Sequence, residues 1–175
     1  MVDPVIWFTG ISGSGKTTLA TRVHAELKKQ DIQAELLDGD VVRDFFEGDL
    51  GYSRAERILN VRRIAFAAML LAKNGIPVLV ANIAPYYEVR DFIRRILPHY
   101  SQIYLKATVG KVMVCDVKGI YAKANKTNYQ QIIGMGDAYD VPRNPDLVVD
   151  TDHQSVDESV GKIMDYLKRK VFINV

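Results

Sequence analysis

One cysteine, Cys115, stands in 175 residues, so the chain can close no internal disulfide and offers no cysteine-based zinc site. That usage fits a reducing cytosol. The three histidines, His24, His99 and His153, lie far apart and read as surface or turn residues rather than a metal or catalytic cluster. Long hydrophobic runs are missing too. The longest apolar block, Ala65 to Ala72, falls well short of the roughly 20 residues that span a bilayer. The first apolar run, Val5 to Phe8, is too short for the core of a secretory signal, so the chain reads as soluble, untargeted and cytoplasmic. Charge of one sign is not in excess: a net +2 argues for neither nucleic acid nor an anionic membrane as partner. No repeat, low-complexity tract or linker breaks the chain. What remains, 48% hydrophobic and 25% charged residues, is the composition of one globular domain, here residues 1–175.

The most informative stretch runs from Trp7 to Thr18. Gly10, four further residues, then Gly15, Lys16 and Thr17 match Gly-x-x-x-x-Gly-Lys-[Ser/Thr] without a gap. A polyphosphate needs several backbone N–H donors curled around it, and glycines let the backbone approach. The candidate ATP-binding residues are therefore Gly10, Ser12, Gly13, Ser14, Gly15, Lys16, Thr17 and Thr18. Lys16 lays a charge across the β/γ-phosphates, and the Thr17 hydroxyl suits Mg²⁺. The context agrees. An apolar strand-like run, Val5 to Phe8, precedes the loop, and Leu19, Val23 and Leu27 follow it at helical spacing.

Beyond the first helix, Ala34 to Leu37 reads as a strand ending in Asp38-Gly39-Asp40. Carboxylates at the C-terminal edge of a strand sit where α/β sheets bind ligands, although Asp and Gly also favour turns. Val41 to Phe46 predicts a short helix. Ser53 and Glu56 form a capping box for a long helix over about 54–73, with Ile58, Val61, Ala65, Ala68 and Leu71 on its apolar side. Arg57, Arg62 and Arg63 crowd its start, opposing the helix dipole. A bound anion or simple solvation would compensate them. Asn74-Gly75 ends this helix; Ile76 to Ala81 predicts an interior strand, 86–97 a helix, Ser101 to Ala107 a strand and Val109 to Val114 a short helix. The aperiodic stretch over about 115–140 is long for a loop in a compact domain and predicts a lid. Asp146 to Asp150 predicts the last strand, and Ser155 with Glu158 caps a closing helix to Lys170. The alternation implies an α/β, P-loop NTPase-type parallel sheet of about five strands flanked by helices.

Several stretches, in order, resemble the adenylylsulfate kinase family. They are Gly10 to Thr18, Leu37 to Arg43, Asp49 to Ser53, Arg57 to Arg63, Ile83 to Tyr86, Asp116 to Ala124 and Pro142 to Asp146. The resemblance implies transfer of the ATP γ-phosphoryl to the 3′-hydroxyl of adenosine 5′-phosphosulfate, with Mg²⁺ accompanying ATP. It implies that Lys16 and Asp40 are catalytic, Asp40 acting on the acceptor hydroxyl, and that Thr17 and Asp40 hold the metal. Arg43, Tyr52, Arg57, Asn60, Ile83, Ala84, Lys118, Lys123 and Ile132 would form the acceptor side, with Tyr52 replacing a family Phe that packs on the base. The family often dimerises, so a homodimer is expected.

The sequence also departs from the family. Ala84 replaces a serine that some members phosphorylate, Leu59 a glutamate, Cys115 and Asn125 arginines, and Gln130 a lysine. Ile132 stands where a family Phe sandwiches the adenine. Because a base–aromatic stack contributes roughly 1–3 kcal/mol, these changes point to an altered acceptor pocket behind an intact donor loop. The alternatives are a related kinase acting on another nucleotide, such as cytidine diphosphoramidate, and a silent nucleotide-binding module. A GTPase fits less well, since Asn125-Lys126-Thr127-Asn128 lacks the carboxylate that reads guanine.

Overall fold

The computed structural model describes residues 3–97, 99–115, 119 and 132–172. Five parallel strands form one sheet in the order β2-β3-β1-β4-β5: β1 (Val5–Thr9), β2 (Glu35–Asp38), β3 (Val78–Ala81), β4 (Tyr100–Lys106) and β5 (Leu147–Asp150). The helices are α1 (Lys16–Lys28), α2 (Gly39–Phe45), α3 (Arg54–Lys73), α4 (Tyr87–Ile96), α5 (Val109–Cys115) and α6 (Val156–Lys170).

All five residues of β1 are buried, as expected for a parallel strand covered on both faces. The period-2 pleat divides them between two cores. Ile6 and Phe8 join Leu79, Ile103 and Leu105 under α1 and α6, which contribute Leu19, Val23, Ile163 and Leu167. Val5 and Trp7 face the other way with Val78 and Val80, under Val61, Ile64, Ala65 and Ala68 of α3 and Val89 and Ile93 of α4.

The α3 limits match those expected, and both halves of its capping box form. Such a cap typically contributes about 1 kcal/mol. Ile58 and Leu71, expected on the apolar side, are only half-buried; Ile64 and Ala72 complete that face instead. Ser155 and Glu158 repeat the capping box on α6. The strand before α2 differs from expectation. No turn separates strand from helix: β2 ends at Asp38, whose carboxylate caps α2 by accepting from the Asp40 N–H at 2.8 Å. The strand register lays Asp38 level with Ala81 and Phe8, so β2, β3 and β1 end together. The loop after β1 and the carboxylates after β2 thus share the C-terminal edge of the sheet, where open α/β sheets bind ligands. No helix among the described residues is long and apolar enough to cross a membrane.

Candidate active site

The donor side grows out of β1. Gly15, in the left-handed region, is the N-cap of α1, so Lys16, Thr17 and Thr18 form its first turn. The Lys16 ammonium folds back over its own loop, donating to the carbonyls of Gly10 at 3.0 Å and Ile11 at 2.7 Å. Ser14 is buried, and its hydroxyl oxygen has no hydrogen-bond partner among the described residues. A buried hydroxyl without a partner is costly, and an anion seated in the loop would satisfy it. Ser12 and Gly13 lie in the loop and Thr18 in the first turn of α1, with Gly13 and Thr18 exposed.

The Thr17 hydroxyl donates to the Asp38 carboxylate at 2.6 Å. That one carboxylate therefore joins two elements, the start of α1 and the start of α2. Asp40 is exposed on the first turn of α2. Gly39 sits between the two aspartates against Asn82, and a Cβ at position 39 would collide with the Asn82 amide. Asn82 in turn accepts from the Ala84 N–H at 3.0 Å, and its own carbonyl accepts from the Trp7 indole at 3.1 Å.

The acceptor side is gathered from separate segments. Arg43 donates to the carbonyls of Leu50 and Gly51 at 2.6 and 2.9 Å, fixing the loop that carries Tyr52. The half-exposed Tyr52 ring lies 4.7 Å from the Arg43 guanidinium and 5.2 Å from that of Arg57. Arg57 donates to the Tyr52 carbonyl at 2.9 Å and pairs with Asp137 at 3.4 Å. Burial is the main influence on Arg57, pulling its pKa down against the opposing pull of Asp137. Tyr86 donates to Asp137 at 3.2 Å; burial first, then the Asp137 charge, pushes the Tyr86 phenol up. Asn60 is buried, with its side-chain oxygen unpartnered among the described residues. The Ile83 carbonyl accepts from the Thr9 hydroxyl, and Ala84 is wholly buried with a φ of 42°. Ile132 is 7% exposed, at the start of a tight turn. Lys118, Lys123, Asn125 and Gln130, with most of the expected lid, lie outside the described residues.

The crowded arginines at the start of α3 find compensation within the protein. Arg63 grips Asp49 through two hydrogen bonds at 2.8 and 2.7 Å, and that contact holds the Asp49 carboxyl below its usual range. Arg54 pairs with Glu88 at 2.9 Å, and Arg62 lies over the Phe92 ring at 5.1 Å.

Residues 3–150, all but the closing helix, match the family described as adenylylsulphate kinase. The chain belongs to that family. The adenylyl-sulfate kinase of Deinococcus deserti is 45% identical over 163 residues, covering 93% of this chain and 90% of that protein. That of Halothermothrix orenii is 41% identical, covering 97% of this chain and 92% of the relative. Among solved structures, the Mycobacterium tuberculosis APS kinase in complex with AMPPNP and APS superposes with a TM-score of 0.88 at 35% identity. The match covers 95% of this chain and 98% of that one. Adenylylsulfate kinases are ATP-dependent phosphotransferases acting on a hydroxyl, and the five-stranded parallel sheet here is theirs.

Two side chains at the site were not singled out by sequence reasoning. In the sequence Asp38 is only one member of an Asp-Gly-Asp run, and the family resemblance gives the role to Asp40, yet it is Asp38 that receives the Thr17 hydroxyl. Its position carries the signal: Asp38 directly follows the apolar strand residues, and a carboxylate at the end of a parallel strand lies at the ligand-binding edge of the sheet. Asp137 had no local signal: it meets Arg57 across 80 residues of sequence.

Proposed function

We propose that the protein transfers the γ-phosphoryl group of ATP to the 3′-hydroxyl of adenosine 5′-phosphosulfate. The observation that carries this reading is the seating of the Asp38–Asp40 edge against Thr17, beside the phosphate loop. Phosphoryl transfer asks for positioning and charge stabilisation more than for covalent chemistry. Lys16 folds over the loop, donating to the Gly10 and Ile11 carbonyls, and would turn from them to the phosphates. Asp40, exposed at the same edge, accepts the proton of the acceptor hydroxyl. Arg43 and Arg57 face the anionic end of the acceptor, and Tyr52 offers a ring for its base.

The residues suit Mg²⁺ brought in with ATP. Mg²⁺ usually keeps waters and takes one or two carboxylates plus substrate phosphates, and Thr17, Asp38 and Asp40 supply that set. Among the described residues no group of three or more His, Cys, Asp or Glu forms a metal site of its own. When bound, the ion neutralises charge developing on the phosphate oxygens. A cytoplasmic location and a homodimer accompany this reading, and light scattering on the purified chain checks the second.

The decisive experiment measures Mg·ATP turnover with adenylylsulfate and, in parallel, with cytidine and uridine diphosphate derivatives. Turnover with adenylylsulfate alone is expected. Transfer to a cytidine derivative with none to adenylylsulfate would overturn the acceptor assignment, and ATP binding without transfer to any acceptor would overturn the reaction itself.

A further inference from the structure

We propose that Asp137 is a positioning residue that sets the Arg57 guanidinium for the acceptor and ties it to the phosphate loop. The proposal rests on the kinase reading above. Asp137 lies outside every motif that led to that reading, yet its carboxylate touches two groups of the acceptor side, Arg57 at 3.4 Å and the Tyr86 hydroxyl at 3.2 Å.

The backbone that presents this carboxylate is tightly held. The Ile132 carbonyl accepts from the N–H groups of Met135 and Asp137, at 3.1 and 3.2 Å, and the Gly134 N–H donates back to the Asp137 carbonyl at 2.9 Å. The opposite side of this turn rests on the donor loop. Gly134 has a φ of 94°, and a Cβ there would stand 2.8 Å from Ile11 Cγ2. A substituent at 134 would therefore be strained by its dihedral and blocked by the phosphate loop at once. One side of a single turn touches the donor loop, and the other holds a cation of the acceptor side.

The chemistry gives this contact a purpose. The Arg57 side chain is only 10% exposed, and a guanidinium taken out of water needs charged or hydrogen-bonding partners to hold one orientation. The Tyr52 carbonyl and the Asp137 carboxylate both meet its Nε, at 2.9 and 3.4 Å, and of the two Asp137 belongs to the turn that rests on Ile11 of the phosphate loop. Without the Asp137 charge the guanidinium would keep the Tyr52 carbonyl but lose its charged tie to the turn that rests on the phosphate loop. A mispositioned cation weakens acceptor binding before it affects the donor.

The test uses the full chain and steady-state kinetics with adenylylsulfate. Asp137→Asn keeps the shape and removes the charge. It should raise the acceptor KM about tenfold, as expected for loss of one partly buried ion pair, and leave the affinity for a non-hydrolysable ATP analogue unchanged. Asp137→Glu, which keeps the charge, should recover most of that loss. In an Arg57→Ala background Asp137→Asn should add nothing, because there is no guanidinium left to aim. An acceptor KM within about twofold of wild type, or the same factor in both backgrounds, overturns the proposal. Should Asp137→Asn fail to fold, Asp137→Ser, which also removes the charge, and its Arg57→Ala double variant carry the same comparison. A wild type that ignores adenylylsulfate defeats the kinase reading and this proposal together; an active wild type with an indifferent Asp137 defeats this proposal alone.

Discussion

The donor and acceptor halves of this site are built in opposite ways. On the donor side the principal contacts are short in sequence: Lys16 binds carbonyls five and six residues back, and Thr17 reaches an aspartate 21 residues on. On the acceptor side Arg57 is held by Asp137 and Tyr52, while Tyr86 is drawn to Asp137 across 51 residues. The Lys16 contacts follow from the backbone path of one strand–loop–helix unit and the Thr17 contact from the next strand in sequence, so they survive sequence drift elsewhere. The acceptor side depends on several segments arriving together, and each can be changed without disturbing the sheet. That difference explains how the family pattern can stay whole at 10–18 while changing at 59, 84 and 132.

The largest test of this contrast is Lys16→Ala. Loss of a cation aimed at the transferring group should cut turnover on the order of 10³-fold, measured by coupled ADP release, with the melting temperature held. Activity within tenfold of wild type would remove the donor loop from the chemistry. Asp40→Asn comes next, with a fall on the order of 10²-fold in kcat and ATP-analogue affinity retained, as expected for loss of a general base. The paired variant Asp38→Asn sharpens the assignment. If the Thr17-bound carboxylate rather than the exposed one handles the hydroxyl, the two variants will exchange severity.

Much of this was legible in the sequence, for physical reasons that particular residues show. The alternation of Val5, Ile6, Trp7 and Phe8 is uninformative by period because both faces are buried, yet shortness and the following glycines were enough to place the strand. Ser53 and Glu56 specified the start of α3 to the residue, because a capping box satisfies helix-end N–H groups through side chains three apart. The charge balance near α3 was not legible. Arg63 finds Asp49 and Arg54 finds Glu88 through packing of separate segments, and nothing in the order of residues announces either pair.

Gly39→Ala asks how firmly the donor edge is coupled to the loop after β3. The added methyl meets the Asn82 amide, whose oxygen holds the Ala84 N–H, so either Asn82 turns aside and releases that N–H or the backbone on one side has to shift. Overpacking of this kind costs about 1–3 kcal/mol, read as a lower melting temperature, with activity falling further than stability alone explains. An unchanged melting temperature would mean that Asn82 rotates freely and that the two halves are not joined there. Ile132→Phe probes the acceptor side more gently. If the missing ring accounts for the altered pocket, an adenine acceptor should bind about fivefold tighter, the low end for a base–aromatic stack. The low end is appropriate because Ile132 is buried and a larger ring must first find room. No gain would separate the altered lid from adenine recognition.

The smallest effect is expected at Ala84, where three terms nearly cancel. Its φ of 42° places a non-glycine residue in the left-handed region, at a local cost of about 1 kcal/mol. Ala84→Gly would relieve that strain. It would also add freedom to the unfolded chain, at about 0.4–1 kcal/mol, and remove a methyl from a fully buried position. The net change in unfolding free energy should therefore stay within about 1 kcal/mol. Two contacts meet here, the Ala84 N–H on Asn82 and the Ala84 carbonyl receiving Arg90 at 2.7 Å, and both use backbone atoms that glycine keeps. Turnover should consequently match wild type. A large loss of activity at unchanged stability would show that the methyl itself faces the acceptor, and would move Ala84 from scaffold to specificity.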